Sequence, residues 1–344
     1  MAQKRVTVKK IAEMAGLSSP TVSQILNNRR TLSSPETQER VRRIARELNF
    51  RQSYSDRLKR GDRTKTAGIL FSAPFSSESE HNKEMGLCLV QRLMTIGHYA
   101  YFLACARDPE SNLTGLDDLL ERGVEKFIFF GAPAGYHELA EKVRRADRRL
   151  AILSSEPDSQ VYNDSGSGIE QILRRFLAEG RRDFRIVIPG AVGISDRLEA
   201  LIRIFPDVPL PELLQRHVVD LPKLDQFAED WEQQSLAQGE AATARLLENG
   251  QVPSAIFYNS DLLALGGMRV LARRGVRIGR DCALGCVNDS TAIRNNVFPV
   301  SSVRHNVGPT VEALIRHLTE PDLPRTVIPP QVIFRGPSGT SASQ

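Results

Sequence analysis

With 344 residues, 41% hydrophobic and 25% charged, the chain has the composition of a globular protein with one large or two medium domains beside a small one. No apolar run could span a bilayer, and the basic N-terminus leads into an amphipathic helix rather than a signal peptide's apolar core, so we expect a cytoplasmic protein without a membrane partner. The net charge of +5 is unevenly distributed, because residues 1–65 carry 16 Lys and Arg against 6 Asp and Glu, whereas the remainder carries 30 against 35. A basic segment joined to an acidic body indicates nucleic-acid binding confined to one end.

Two short helices joined by a tight turn are predicted between residues 8 and 27. Gly16 stands where the first helix must stop, because a residue without a Cβ reverses the chain at little steric cost. Ser18 or Ser19 can cap the second helix, and Pro20 suits its first position. Helical spacing predicts an inward face made of Val8, Ile11, Ala12, Ala15, Val22, Ile25 and Leu26.

The outward face of the second helix is short, polar and mostly uncharged. It carries Ser19, Pro20, Ser23, Gln24 and Asn27, where a solvated helix would usually carry Lys and Glu. Such groups can hydrogen-bond to base edges and phosphate oxygens, as those of a major-groove recognition helix do. The alternative is an ordinary helical hairpin.

A third helix follows, with Ser34 as its N-cap, Pro35 at its first position and a buried stripe made of Val41, Ile44, Ala45 and Leu48. Residues 7–50, with A-x-x-A-G-L-S-x-x-T-V-S-x-I-L-N and S-P-E-T-x-E-R-V, resemble the DNA-binding headpiece of the LacI/GalR family of bacterial transcription regulators. The resemblance implies a helix-turn-helix headpiece at residues 1–50 and a homodimer on near-palindromic operator DNA. The residues expected at the DNA are Thr7, Ser18, Ser19, Pro20, Thr21, Ser23, Gln24, Asn27, Arg29 and Leu58.

Residues 51–65 form a basic linker with little that could build a core. In the family this segment becomes a hinge helix on operator DNA, and a leucine from it enters the minor groove. Leu58 is the only aliphatic side chain here and is the candidate wedge. Gln52 departs from the usual proline, and the stretch from Phe50 to Leu58 is one residue shorter than in the family. A flexible basic tether is the alternative.

From Thr66 onward, apolar strands alternate with amphipathic helices, which predicts an α/β core of parallel sheets covered on both faces. The strand predictions are 67–72, 99–105, 126–131, 150–154, 184–189, 216–219, 254–258 and 282–287, with short strands near 325–335. The helix predictions are 82–97, 112–122, 136–146, 167–179, 195–204, 235–249, 261–274 and 307–318. Two successive doubly wound units imply two lobes with a cleft between them.

The core also resembles the family, whose core is similar to periplasmic sugar-binding proteins with three crossover segments. The matching stretches are V-Y-N-D (161–164), A-I-F-Y-N-S-D-L-L-A-L-G (255–266) and C-V-N-D (286–289). The resemblance implies a two-lobed core over 66–336. Its first lobe would take 66–161 and about 290–318, and its second 162–289 and about 322–336. We expect a disordered tail at 337–344.

A small-molecule effector is expected in the cleft. Trp231 matches a family aromatic that could stack on a sugar or base, and Arg197 matches an arginine that reaches ligand hydroxyls or carboxylates. A loop-anchoring Trp and a solvated helix Arg are the alternatives. Asp164 matches a polar ligand contact, and Ser72 and Phe75 belong to the corresponding first-lobe loop. Ser260 and Asn288 replace the family's usual Asn and Asp, which argues against an ordinary hexose. One arginine among neutral partners favours a small polar effector of the sugar or sugar-acid type.

Enzyme motifs are missing from the sequence: it has no dinucleotide or phosphate loop, no H-E-x-x-H and no G-x-S-x-G. Its six histidines are scattered, and its four cysteines fit reduced core thiols, so we expect neither a metal nor a cofactor. The sequence therefore predicts a DNA-binding transcription regulator, a repressor rather than an enzyme, controlled by a small polar effector. The alternative is a regulator gated by a protein partner, with a vestigial cleft.

Overall fold

The structure, a computed structural model, describes residues 6–27, 31–50, 64–72, 80–190 and 195–336. The chain divides into two compact units, one ending at Thr64 and the other beginning at Lys65. None of the helices within these ranges is long and apolar enough to cross a membrane.

The first unit contains three helices, α1 (Val8–Ala15), α2 (Ser19–Leu26) and α3 (Pro35–Glu47). Their caps follow the predicted chemistry. Gly16 ends α1 with a left-handed φ of 66°, and Ser34 caps α3 by accepting from the Thr37 backbone N–H. The N-cap of α2 is Ser18 rather than Ser19, because the Ser18 hydroxyl accepts from the Thr21 N–H. Pro20 is therefore the second helical residue and not, as the sequence predicts, the first.

A small apolar core joins the three helices. Ile11, Val22, Ile25 and Val41 are almost fully buried in it, as the helical spacing predicts. Arg40 on α3 donates from Nη2 to the Ala15 carbonyl oxygen at 3.0 Å and so satisfies one of the free carbonyls at the end of α1. The turn between α1 and α2 is therefore held by the Gly16 cap and by Arg40 of α3.

The second unit contains two six-stranded sheets within its described residues. The first consists of β1 (Thr66–Phe71), β2 (Tyr99–Ala104), β3 (Lys126–Phe130), β4 (Arg149–Leu153), β5 (Val161–Asn163) and β11 (Thr326–Ile328). The second consists of β6 (Phe184–Pro189), β7 (Val218–Leu221), β8 (Ala255–Tyr258), β9 (Ala283–Val287), β10 (Val300–Arg304) and β12 (Gln331–Ile333). Their orders are β11-β5-β4-β3-β1-β2 and β12-β10-β9-β8-β6-β7, and only β12 runs antiparallel to its neighbour.

Helices cover both faces of each sheet, as the near-continuous apolar strands predict. The first sheet packs against α4 (Glu80–Thr95) and α13 (Val307–Thr319) on one face and α5 (Pro109–Glu121) and α6 (Tyr136–Arg145) on the other. The second packs against α10 (Trp231–Leu246) and α11 (Asp261–Arg273) on one face and α7 (Ser165–Ala178), α8 (Ser195–Ile204) and α9 (Leu210–His217) on the other. A short helix, α12 (Thr291–Arg294), links β9 and β10.

The chain passes between the lobes three times, after β5, after β10 and between β11 and β12. The predicted lobe boundaries differ from the structure at all three crossings. Residues 300–304 belong to the second sheet, because Val300 and Val303 pair in register with Leu284 and Val287. Residues 326–328 belong to the first sheet, because they pair with β5. The first crossing lies two residues later than predicted, since β5 still belongs to the first sheet.

Two predictions along the second lobe also need correction. The strand predicted at 216–219 begins only at Val218, because α9 occupies residues 210–217. The helix predicted at 235–249 begins at Trp231, so this side chain belongs to the first turn of α10 rather than to the loop before it.

Candidate functional site

The outward face of α2 presents the predicted polar side chains. Ser18, Pro20 and Gln24 are exposed, and Ser19, Thr21, Ser23 and Asn27 are half-buried. Gln24 makes no hydrogen bond within the described part of the chain. A free amide on an exposed helix face can both donate to and accept from a base edge.

Several of the predicted DNA-contacting residues also shape the headpiece. Thr7 caps α1 by accepting from the Lys10 N–H at 3.3 Å. The hydroxyls of Ser18 and Thr21 hydrogen-bond to each other at 2.8 Å, and Asn27 donates to the Ser23 carbonyl and hydroxyl oxygens. These contacts orient the polar groups before any partner arrives. Arg29 and Leu58 lie outside the described residues.

A cavity of about 1040 Å³ lies between the two lobes of the second unit. Residues that follow the carboxyl ends of strands in both sheets line it, which is where open α/β sheets bind their ligands. The first lobe contributes Ser72, Arg107 and Ser154, among others, and the second contributes Arg197, Trp231 and Asn288. The volume suits a ligand of small-metabolite size.

Five of the seven residues predicted for the effector site line this cavity: Ser72, Arg197, Trp231, Ser260 and Asn288. Phe75 lies outside the described residues. Asp164 is not in the cavity wall. Its carboxylate caps α7 by accepting from the Ser167 N–H at 3.0 Å, and its neighbours Asn163 and Ser165 line the cavity instead.

Trp231 and Ser260 occupy the first turns of two tightly packed helices, α10 and α11. Gly239 and Gly266 permit the close approach, since a Cβ on either would lie about 2.2 Å or 2.1 Å from a backbone carbonyl oxygen of the other helix. Ser260 is the N-cap of α11 and accepts from the Leu263 N–H at 3.3 Å. The helix pair therefore holds both residues at fixed positions in the cavity wall.

Asn288 is held at the cavity by an unusual turn. Asn288 and Asp289 both have left-handed φ values, 95° and 56°, and the Asn288 N–H donates to the Val303 carbonyl at 2.8 Å. Asp289 is buried and accepts from Arg335 Nη1 at 2.7 Å. The ion pair with the partly exposed Arg335 anchors Asp289 in a backbone conformation that residues other than glycine rarely adopt.

Three groups in the cavity wall were missed by sequence reasoning. Lys223 follows β7, and its stem lies against Gly190, where a Cβ would be 2.6 Å from the lysine's Cγ and Cε. Arg107 follows β2. His81 and His305 face each other with ring centroids 4.8 Å apart, and burial lowers the pKa of His81 to about 3, assisted by His305 and Arg304. Lys223, Arg107 and His305 follow strand ends and His81 lies in the first turn of α4, so no local motif marks them as cavity residues.

The charges of the wall favour an anion. Among its described residues Arg107, Arg197, Lys223 and Asp225 carry a formal charge, which gives a net +2. Asp225 pairs with Arg107, whereas Lys223 forms no ion pair with a described residue. Arg197 and Lys223 add positive charge to the wall, and Lys223 can bind a ligand's negative group.

Comparison with known proteins agrees with both units. Residues 7–53 match the model for bacterial regulatory proteins of the lacI family, and residues 173–338 match the periplasmic binding protein-like domain. The repressor MelR of Bacillus subtilis is 24% identical over 98% of this chain and 99% of its own length. The transcriptional regulator PtxS of Pseudomonas aeruginosa is 26% identical over 96% and 95%. A Lac repressor dimer bound to operator and an anti-inducer shares the fold, with a TM-score of 0.77 at 19% identity, covering 96% of this chain and 98% of that one.

The chain carries the DNA-binding domain of the lacI family of bacterial regulatory proteins and is a DNA-binding transcription regulator. The relatives named above are regulators rather than enzymes. The helix-turn-helix motif of the LacI family is formed by α1 and α2, and the periplasmic-binding-protein-like core contains the cavity.

Asp261 of the periplasmic-binding-protein-like core is buried behind the cavity wall. Its carboxylate accepts from the Ser290 N–H at 2.8 Å and from the Cys286 thiol at 3.2 Å. Burial raises its pKa to about 6, and the hydrogen bonds oppose the shift only in part. Between about pH 4 and 6 the native state therefore holds a proton that the unfolded state has lost, so the free energy of unfolding falls as the pH rises through this window.

We expect Asp261→Asn to remove this pH dependence, because the amide stays neutral. Relative to that of the wild type, the free energy of unfolding of the variant should rise by on the order of 3 kcal/mol from pH 4 to pH 7. Urea unfolding at several pH values measures the difference. Asp281→Asn is the control: Arg277 lowers the pKa of Asp281 to about 2, so its effect should be constant from pH 4 upward. A difference between Asp261→Asn and wild type that does not change with pH would contradict the prediction.

Proposed function

We propose that this regulator is a repressor that binds a near-palindromic operator as a homodimer and changes its operator affinity when a small anionic or strongly polar ligand occupies the inter-lobe cavity. Because bacterial operators lie in the cytoplasm, the protein would act there, and it would bind the ligand without converting it. The observation that carries the proposal is the cavity itself, walled by both lobes. A ligand that contacts both lobes favours one lobe arrangement, and linkage passes that preference to DNA binding.

The wall chemistry supports a ligand of the sugar-acid type. Arg197 and Lys223 can bind a carboxylate, Trp231 offers a face for the C–H side of a sugar ring, and Ser260 and Asn288 can donate to or accept from hydroxyls. A related structure is described as a CelR–cellobiose complex, and this supports the proposal of a carbohydrate-type ligand here.

Thermal unfolding of the full chain tests the ligand proposal. A ligand at 100 times its dissociation constant should stabilise the native state by about 2.7 kcal/mol and raise the Tm by roughly 5 °C. The panel should include D-gluconate, D-glucuronate and glucose 6-phosphate, with neutral glucose as the comparison. If no metabolite stabilises the protein, gating by a protein partner becomes the better proposal.

The proposed dimer would use the face formed by α4 and β2. Leu87 and Met94 on α4 are 64% and 57% exposed, and Tyr99 and Phe102 on the edge strand β2 are exposed as well. An apolar face beside a sheet edge is costly to leave in water, and a two-fold operator requires a two-fold protein. A second copy of the chain fits both requirements.

We expect Leu87→Glu combined with Met94→Glu to give monomers, because dimerisation would bury the introduced charges. Analytical ultracentrifugation measures the mass, and affinity for a palindromic duplex should fall by at least ten-fold, about 1.4 kcal/mol. Val327→Glu is the matched control, because Val327 is 54% exposed on β11, at the opposite edge of the same sheet. A dimeric double variant would exclude this face.

A further inference from the structure

The two lobes have one edge where the chain crosses between them and one edge where it does not. The crossings involve β5, β10, β11 and β12, which lie together at one end of the two strand orders. The opposite ends are β2 in the first sheet and β7 in the second. Segments that follow β2 and β7 therefore meet at the side of the cavity farthest from the crossings, where an opening motion separates the lobes most.

A compact set of contacts spans the lobes at this side. Arg107, after β2, forms an ion pair with Asp225, after β7, and its guanidinium carbon lies 5.2 Å from the centre of the Phe227 ring. Asp225 also accepts from the Phe227 N–H at 3.0 Å, so its carboxylate and the ring are held as one unit. All three side chains line the cavity.

We infer that Arg107, Asp225 and Phe227 form a latch that closes the mouth of the cavity and must open to admit the ligand. The inference rests on the proposed role of the cavity as the ligand site, but the closure itself can be measured without a ligand. The latch bridges the two lobes with one charged side chain on the side away from the crossings, and its partners belong to one short turn. Removal of the charge of Arg107 or of Asp225 should allow the mouth of the cavity to open.

The exposure of the pair makes the latch reversible. Its side chains are 63% and 43% exposed, so water and salt weaken the attraction, while the cation–π contact adds to it. We expect its loss to shift the ratio of open to closed forms by roughly five-fold, about 1 kcal/mol. A second contact between the lobes, from Glu80 to the Thr291 N–H at 2.9 Å and to Arg294, remains in place, so the mouth should widen without complete separation.

Trp231 provides the measurement, because it is the only tryptophan in the chain and it lines the same cavity. Acrylamide quenching of its fluorescence in the full, ligand-free protein reports access to the cavity. We expect Arg107→Met and Asp225→Asn each to increase the quenching constant about two-fold, consistent with a larger open population. The two changes together should add little, and the charge exchange Arg107→Asp with Asp225→Arg should restore part of the protection.

Arg277→Met is the matched control, because Arg277 forms a bidentate pair with Asp281 within the second lobe. It should leave the quenching of Trp231 unchanged, and unchanged thermal unfolding of all variants would show that they are folded. Unchanged quenching in Arg107→Met and Asp225→Asn, or additive effects that the charge exchange does not reverse, would overturn the latch. If quenching behaves as expected but no metabolite binds, the latch stands and the proposed ligand function fails.

Discussion

Replacing Arg197 by alanine is expected to weaken the ligand response strongly while leaving operator binding intact. Arg197 lines the cavity on α8, in the unit that does not contain the headpiece. Loss of a hydrogen bond to a charged ligand group costs about 1.5–3 kcal/mol, which weakens ligand binding roughly 10- to 150-fold. Thermal-shift titration with the best ligand from the metabolite panel measures this loss, and fluorescence anisotropy with operator DNA measures the retained function.

Three further variants make the test specific. Arg203→Ala removes another arginine of α8, one that pairs with Glu170 at 2.6 Å outside the cavity wall, and it should respond to ligand as the wild type does. Trp231→Phe should keep part of the affinity, because it retains a stacking face, whereas Trp231→Ala should lose more. A normal response in both Arg197→Ala and Trp231→Ala would show that the ligand binds elsewhere.

Gln24→Ala is expected to change which base pair is preferred at one operator position rather than to weaken binding to all DNA. The exposed Gln24 amide has no hydrogen bond within the described headpiece, so it is available to a base edge. A bidentate amide–base contact is worth about 1–3 kcal/mol of discrimination, roughly 5- to 150-fold. Selection of bound duplexes from a random pool, carried out with wild type and variant at one salt concentration, measures the change.

The glutamine of the third helix supplies the comparison. Gln38 donates to the Ser33 carbonyl oxygen at 3.0 Å and lies outside the α2 face, so Gln38→Ala should select the same sequence as wild type. Equal loss of affinity for selected and random duplexes in Gln24→Ala would remove α2 from base readout. Binding of both proteins should fall steeply with salt, because residues 1–65 carry a net charge of +10.

The headpiece was predicted well because its signals are local. Gly16, Ser18 and Ser34 act on the backbone within four residues of themselves, and the apolar spacing of Ile11, Val22 and Val41 directly encodes the buried side. The same holds for the strand at 184–189 and the helix at 195–204, whose predicted bounds are those of β6 and α8.

The crossings and part of the cavity depend on pairing between distant segments. The sequences of 300–304 and 326–328 do not indicate which sheet each strand joins. Their sheet is determined by pairing with distant partners, residues 283–287 and 161–163. Asp164 has the residue type of a ligand contact, but its nearest donor is the Ser167 N–H of its own helix. Lys223 and Arg107 become cavity residues only when two sheets meet, and Lys223 also requires the space left by Gly190.

Operator affinity measured with and without ligand tests the central claim most directly. A duplex selected with the full-length protein should be labelled and titrated by fluorescence anisotropy at fixed salt, first alone and then with the metabolite that stabilises the protein most. We predict a near-palindromic duplex whose dissociation constant changes at least ten-fold with ligand, a coupling free energy of about 1.4 kcal/mol. An unchanged dissociation constant at saturating ligand would contradict ligand control through the cavity.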